Sequence, residues 1–197
     1  MEFDQAISKR HTVRSFTSKK PSWKLVLEAI DAAAQAPFAD NHNHLTFLIV
    51  ENEKVIDKIA EAADQLWINE SGILVVVCSD DKHLENLHGE RGRVYARQQA
   101  GAAIENFLLK ITDLGLATCW VGSYNDEDIK HLLDIPKEIQ IEAILPIGYE
   151  KGKTLKKHRK HLEHLLHWDS WYNRRKPALT QEPKDELEQE GHVKQKK

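Results

Sequence analysis

Ile73-Leu74-Val75-Val76-Val77-Cys78 is the longest uninterrupted apolar run in the chain, and its reading decides the fold. It is rich in β-branched residues and shows no polar alternation, which suits a strand buried on both faces. Before it, Val55, Ile59, Ala62, Ala63 and Leu66 mark an amphipathic helix, and Leu45 to Val50 is a compact run that reads as another strand. Earlier still, Ser22 is placed to cap a helix whose apolar stripe is Trp23, Val26, Leu27, Ile30, Ala33 and Ala34, and Pro37 closes it. A short opening helix, Phe3 to Ser8, and the polar stretch Arg10 to Lys20 complete this side.

Beyond the run, Ser79 to Gly92 is charged and poor in apolar residues, so a mobile loop or an exposed turn over a cleft is expected there. A long helix follows over Arg93 to Asp113, with Val94, Gly101, Ile104, Phe107, Leu108 and Ile111 on one broad face and Gly115 as its stop signal. Ala100, Gly101, Ala102 and Ala103 form a smooth patch suited to close packing of a second helix. Ala117 to Val121 and Ile139 to Ile147 read as strands, with a short helix from Asp126 to Leu133 between them opening beside Asn125. Four strands separated by helices make the class mixed α and β.

A length of 197 residues leaves room for one domain with an appendage. The expected division is a domain over residues 1–172 and a polar tail over 173–197. From Thr180 to Lys197 only Leu187 and Val193 are sizeable apolar residues, too few to bury a core. The net charge of −3 provides no overall basic field for nucleic acid or an anionic membrane. No apolar run approaches the roughly 20 residues that span a bilayer, and the acidic start Met1-Glu2-Phe3-Asp4 lacks the features of a signal peptide, so a cytoplasmic location is expected. Cys78 and Cys119 lie in apolar, strand-like runs and read as small buried hydrophobes.

Arg10-His11-Thr12-Val13-Arg14 carries the first sign of chemistry. In an extended segment side chains alternate, which puts Arg10, Thr12 and Arg14 on one side, and two guanidinium groups with a hydroxyl can hold a phosphate. A solvated basic connector fits the same spacing. Lys156-Lys157-His158-Arg159-Lys160 is a second basic cluster that either closes the same site or is a solvated helix start. His158, His161, His164 and His167 step by three, which walks them around a helix axis, and no thiolate or carboxylate is interleaved at ligand spacing, so no metal is expected. Gly148 and Gly152 are one residue too close for a phosphate-binding P-loop, and neither G-x-G-x-x-G nor G-x-S-x-G occurs.

Six segments in order resemble the FMN-dependent nitroreductase family. They are Arg10-His11-Thr12-Val13-Arg14-Ser15-Phe16; Ala36-Pro37-Phe38-Ala39-Asp40-Asn41; Gly115-Leu116-Ala117-Thr118-Cys119-Trp120-Val121-Gly122; Leu132-Leu133-Asp134-Ile135-Pro136; Pro146-Ile147-Gly148-Tyr149; and Arg159-Lys160 with Leu162, Leu165 and His167-Trp168. The resemblance spans roughly Phe3 to Trp171. It implies an α+β fold around a central mixed sheet flanked by helices, in a homodimer whose C-terminal segments cross to the partner. It also implies two FMN sites at the dimer interface, with NADH or NADPH as reductant. By this similarity Arg10, His11, Thr12, Arg14, Lys157 and Arg159 surround the phosphate and ribityl chain. Asn41, Asn43 and Gln99 approach the flavin, and Val121 and Gly122 present backbone to its ring. No side chain need act as nucleophile or base, since the flavin carries the chemistry, and Arg14 is the candidate for tuning its electron affinity.

This sequence departs from the family pattern at Phe38, where Ser is usual, at Asn43-His44-Leu45, where Q-P-W is common, and at Gln99, where many members have an acidic residue. The resemblance therefore implies hydride transfer from NAD(P)H through flavin to a small acceptor, such as a nitroaromatic or a quinone, by ping-pong turnover. Flavin-dependent dehalogenation, a flavin-modifying reaction of the same fold, and a non-catalytic FMN-binding dimer are the alternatives it leaves open.

Overall fold

The computed structural model describes residues 1–152, 161 and 164–173. The chain divides into two compact units, Met1–Lys156 and Lys157–Lys197. In the second, His167 stacks on Trp171 with ring centroids 4.8 Å apart, and the Trp168 amide donates to the Asn173 carbonyl at 2.8 Å. The first contains every α-helix and β-strand among the described residues.

Its elements in chain order are α1 (Phe3–Lys9), α2 (Trp23–Ala34), β1 (Leu45–Val50), α3 (Glu53–Ala62), β2 (Ile73–Ser79), α4 (Lys82–His88), α5 (Glu90–Asp113), β3 (Ala117–Thr118), α6 (Asp126–Leu132) and β4 (Gln140–Gly148). Short 3-10 turns cover Ala39–Asn41 and Leu66–Glu70. Ser22 and Asn125 cap α2 and α6 as the sequence indicates, and Asn52 caps α3; each accepts an amide hydrogen from the first turn of its helix.

All seven residues of β2 are buried. Because side chains alternate across a strand, one face takes Ile73, Val75 and Val77 and the other Leu74, Val76 and Cys78. The first set joins Ala143, Leu145 and Ile147 of β4 in a core with Val26, Ala29 and Ala33 of α2 and Ala103, Ile104 and Phe107 of α5. The second joins Ile141 and Ile144 in a core with Ile56, Ile59 and Ala60 of α3 and Ile129 of α6. The sheet is thus the middle layer of three.

The sheet order is β1-β2-β4-β3. The α+β class stands, but every pairing among the described strands is antiparallel, where a mixed sheet was expected. The reason is topological: β2 and β3 run the same way, and β4 enters between them and opposes both. Register slips at Val77/Cys78, where Ala143 and Ile141 face consecutive β2 residues and Glu142 is bulged out.

Four further expectations are corrected. Ser79 to Gly92 is not a loop: α4 occupies Lys82–His88, because Leu84, fully buried, gives this charged stretch one apolar foothold under α5. The strand expected over Ala117 to Val121 is only Ala117–Thr118, with Val121 returning to form a single bridge to Ile144. Leu66 belongs to the 3-10 turn after α3 rather than to that helix. On α5, Ala100 and Ala103 are buried, whereas a Cβ at Gly101 would meet nothing within 4 Å.

Gly92 permits the close crossing of α4 and α5, since a Cβ there would lie 2.2 Å from the Leu84 carbonyl oxygen. Backbone cannot rotate out of the way, so Gly92→Ala is expected to lower the free energy of unfolding by about 1–3 kcal/mol. Urea denaturation checks this, and an unchanged midpoint would contradict the packing described.

Candidate functional site

Residues Arg10 to Thr17 form an extended strap fixed at many points. The Arg10 amide closes α1 onto the Ala6 carbonyl at 2.9 Å, and the Val13 amide donates to Thr118 of β3 at 3.1 Å. Further along, the Thr17 amide donates to Tyr149, Lys151 donates to Ser15, and Phe16 bridges Glu150. Val13 and Phe16 are buried with Ala117, and Arg14 between them is exposed.

Arg10 is half-buried and its Nε lies 2.8 Å from Glu105 of α5. Arg14 is exposed and forms no hydrogen bond or ion pair among the described residues. The buried Thr118 Oγ1, beside the strap, also lacks a partner. At the same sheet edge, Val121 and Ile144 exchange two 3.0 Å backbone hydrogen bonds, leaving Gly122 exposed; a Cβ there would meet only Trp120 Nε1, at 3.9 Å. His11 differs from its neighbours. Its Nε2 lies 3.0 Å from Glu150 Oε1 and its Nδ1 2.7 Å from the Lys9 carbonyl, so both ring nitrogens are engaged within the chain.

The other candidates gather elsewhere. Asp40 and Asn41 adopt left-handed backbone (φ 55° and 53°), which short polar side chains tolerate. This turn docks on α4: His88 Nε2 lies 2.8 Å from Asp40 Oδ2, and the His42 and His83 rings are 4.1 Å apart. Asn41 and Asn43 are exposed, and Asn43 Oδ1 accepts from the Leu45 amide at 3.0 Å. The departures at Phe38 and His44 prove to be one feature, an edge-to-face ring pair with centroids 6.1 Å apart. His44 is buried and its Nε2 must donate to the Ala96 carbonyl, 3.2 Å away, which leaves Nδ1 as an unpartnered acceptor. Burial holds this imidazole below its ordinary pKa and hence neutral. Gln99 is buried, with Oε1 unpartnered.

These two groups do not meet within one chain. His44 docks at Ala96 and Arg10 at Glu105, nine residues along α5 and therefore about 14 Å apart along its axis. Lys157 and Arg159 lie outside the described residues, as does His158. Among the described residues no cluster of three or more His, Cys, Asp or Glu side chains is arranged to hold a metal ion.

Sequence reasoning missed a polar network at the far end of β2. Arg97 of α5 pairs with Asp81 and, at 2.7 Å, with Glu142, while Ser79 Oγ lies 3.0 Å from Asp81 and 2.5 Å from Glu142 and shares its one proton between them. The available signal was a lone carboxylate, Glu142, inside the apolar run Ile139 to Ile147. Burial raises the Glu142 pKa, against the pull of Ser79 and Arg97. The nearby Cys78 thiol is pushed up to about 11 by burial, in keeping with a buried, unreactive cysteine.

The sequence profile of the nitroreductase family matches residues 7–89 and 64–149. The chain belongs to the nitroreductase family. It is 25% identical over 187 residues to the NAD(P)H FMN reductase of Bacillus subtilis, covering 87% of this chain and 75% of that protein. To the iodotyrosine deiodinase of Thermotoga neapolitana it is 27% identical over 165 residues, covering 76% and 88%. Among solved structures, a nitroreductase family protein from Clostridium novyi NT superposes with a TM-score of 0.70 at 27% identity, covering 88% of this chain and 96% of that one.

The Glu142 environment yields a pH test. Its folded pKa lies above the unfolded value, so its contribution to stability is full in acid and is lost as pH rises through the folded pKa. Glu142→Gln removes that dependence. Urea unfolding is expected to show the variant gaining stability relative to wild type as pH rises from about 4 to about 7; a constant difference would contradict the assignment.

Proposed function

We propose that this nitroreductase-family chain is an FMN-dependent NAD(P)H oxidoreductase that works as a homodimer and reduces a small acceptor such as a nitroaromatic or a quinone. The observation that carries the reading is the fixed strap with Arg14 unpaired, Arg10 and Thr12 beside it, and the Thr118 hydroxyl orphaned alongside. That donor set fits a phosphate monoester: two planar forks for bidentate bonds and two hydroxyls, on backbone that is already immobile. Gly122 has the open space that a flat ring needs over backbone.

Bound FMN supplies two-electron carriage between a nicotinamide and the acceptor, in ping-pong order. The chain's own residues bind and orient. Arg10 and Arg14 would offset the phosphate charge and Thr12 would donate a hydrogen bond to it, the Val121–Gly122 backbone would support the ring, and Arg14 would add positive field that favours a reduced flavin. Asn41, Asn43 and Gln99, on the other group, reach the flavin of a second copy. The neutral His44 and its partner Phe38 fill the core side of that group and restrict its opening.

The homodimer is supported by apolar side chains exposed at helical spacing, Phe3 and Ile7 on α1 and Trp23 and Leu27 on α2, both helices packing against α5. No helix among the described residues is long and apolar enough to cross a membrane, and we place the protein in the cytoplasm, with a net acidic charge that does not favour nucleic acid.

A second reading, reductive dehalogenation, is favoured by one observation, the similarity to a deiodinase. An anaerobic panel of halophenols and nitroaromatics, scored by reoxidation of reduced protein, separates the two.

Purified protein incubated with FMN is expected to retain a visible flavin band that NADH or NADPH bleaches under anaerobic conditions. Protein that stays colourless contradicts the cofactor assignment, and colour that neither nucleotide bleaches identifies a binding protein. Arg10→Ala and Arg14→Ala are each expected to weaken FMN binding roughly ten- to a hundredfold, the scale of one charge-assisted hydrogen bond. Fluorescence titration measures this, and wild-type affinity in both variants would place the phosphate elsewhere.

A further inference from the structure

His11 lies within the cationic strap, and both of its ring nitrogens are engaged by groups of the chain itself. Its two partners are a backbone carbonyl, that of Lys9 at 2.7 Å, and a carboxylate, that of Glu150 at 3.0 Å. Both are acceptors only, so each ring nitrogen must donate, and a ring donating from both nitrogens is an imidazolium. The ring is about one-third exposed and Glu150 about one-quarter.

The tie has a mechanical consequence. Backbone hydrogen bonds from Val13, Thr17 and Lys151 and the Phe16–Glu150 bridge fix the strap from residue 13 onward. The Arg10 amide fixes the preceding end to α1. Between them, the His11–Glu150 contact adds a tie from a position 139 residues away in sequence. Arg10 and Thr12 flank the tied residue directly.

We propose that His11 is a positioning residue of the cofactor cradle: its doubly protonated ring ties the Arg10–Arg14 strap to Glu150 and thereby holds the strap in its phosphate-receiving form. The inference rests on the FMN reading above and deepens it. The ring is not a phosphate ligand; it acts through Arg10 and Thr12. The charged groups facing it are Glu150, which favours its proton, and Arg10, which opposes it, with the Lys9 carbonyl adding to the first. The balance raises the His11 pKa, led by the Glu150 hydrogen bond.

Above that pKa one ring nitrogen becomes a lone pair aimed at an acceptor, and the tie opens. A phosphate monoester gains its second charge near pH 6, which strengthens binding as pH rises. The two effects have opposite signs, so affinity for FMN should rise through weak acid and fall again in mild alkali.

The test is FMN titration of the full-length protein by fluorescence quenching, from about pH 5 to about pH 9, a range centred on histidine titration. Wild type is expected to show the rise and then a fall of roughly three- to tenfold, less than the loss of a charge-assisted bond to the phosphate itself because the tie acts only through Arg10 and Thr12. His11→Gln should keep the rise, bind more weakly throughout and lose the fall. His11→Arg, a permanent cation able to pair with Glu150, should hold its affinity into alkali, and Glu150→Gln should move the fall to lower pH. Histidine-selective nitrogen NMR on the same proteins without FMN should show His11 protonated at both nitrogens near neutral pH. A neutral His11 ring, or FMN binding whose pH profile is the same in wild type and His11→Gln, overturns the proposal alone. Absence of FMN binding at every pH overturns the cofactor reading and the proposal with it.

Discussion

Two-sided burial of β2 is the constraint on which the rest of the structure depends. A strand with no exposed residue needs cover on each face, and the two apolar sets of Ile73–Ser79 recruit different helices, α2 and α5 on one side and α3 and α6 on the other. Once both faces are covered, chemistry has room only at the sheet's edges and ends. The cationic strap lies along β3 and the end of β4, where hydrogen-bonding groups of the short edge strand are free to hold it.

Electrostatics then separates ornament from function. Several surface ion pairs, such as Lys20 with Glu53, join exposed side chains and carry little weight. Arg14 is different because it is rigidly mounted and unpaired among the described residues, and Thr118 and Gln99 present buried oxygens without partners. Unsatisfied polar atoms are costly in a folded chain. Their occurrence beside the strap and on α5 is what a bound polar group, absent from a lone protomer, would relieve. The distance along α5 between the two sets of candidates explains why the resemblance places each site between two copies.

Much of this was legible from local pattern. The strands at Leu45–Val50 and Ile73–Ser79, helix α2 and the caps at Ser22 and Asn125 follow from propensity and burial acting in the same direction. In the strap Val13 is buried and Arg14 exposed, as alternation requires, but Phe16, on the same parity as Arg14, is buried too. What escaped depends on contacts between distant residues. Helix α4 is too short to show a period and is held by one buried leucine, Leu84. The antiparallel pairing of β4 between β2 and β3 has no local code. The bulge at Glu142 and the assembly of Ser79, Asp81, Arg97 and Glu142 draw on three separate stretches of chain. The His11 ring finds Glu150 across nearly the whole domain, and Phe38 and His44, two separate departures in sequence, are a single contact in space.

The central claim is that one protomer offers the strap to a phosphate while a second copy offers the Asn41 turn to the attached ring. A crystal structure of the full-length protein grown with FMN tests it most directly. The account predicts the phosphorus between the Arg10 and Arg14 guanidinium groups, with the flavin ring over Gly122 and beside Asn41 or Asn43 of the other copy. A phosphate bound away from both arginines, or a ring enclosed by a single chain, would contradict it.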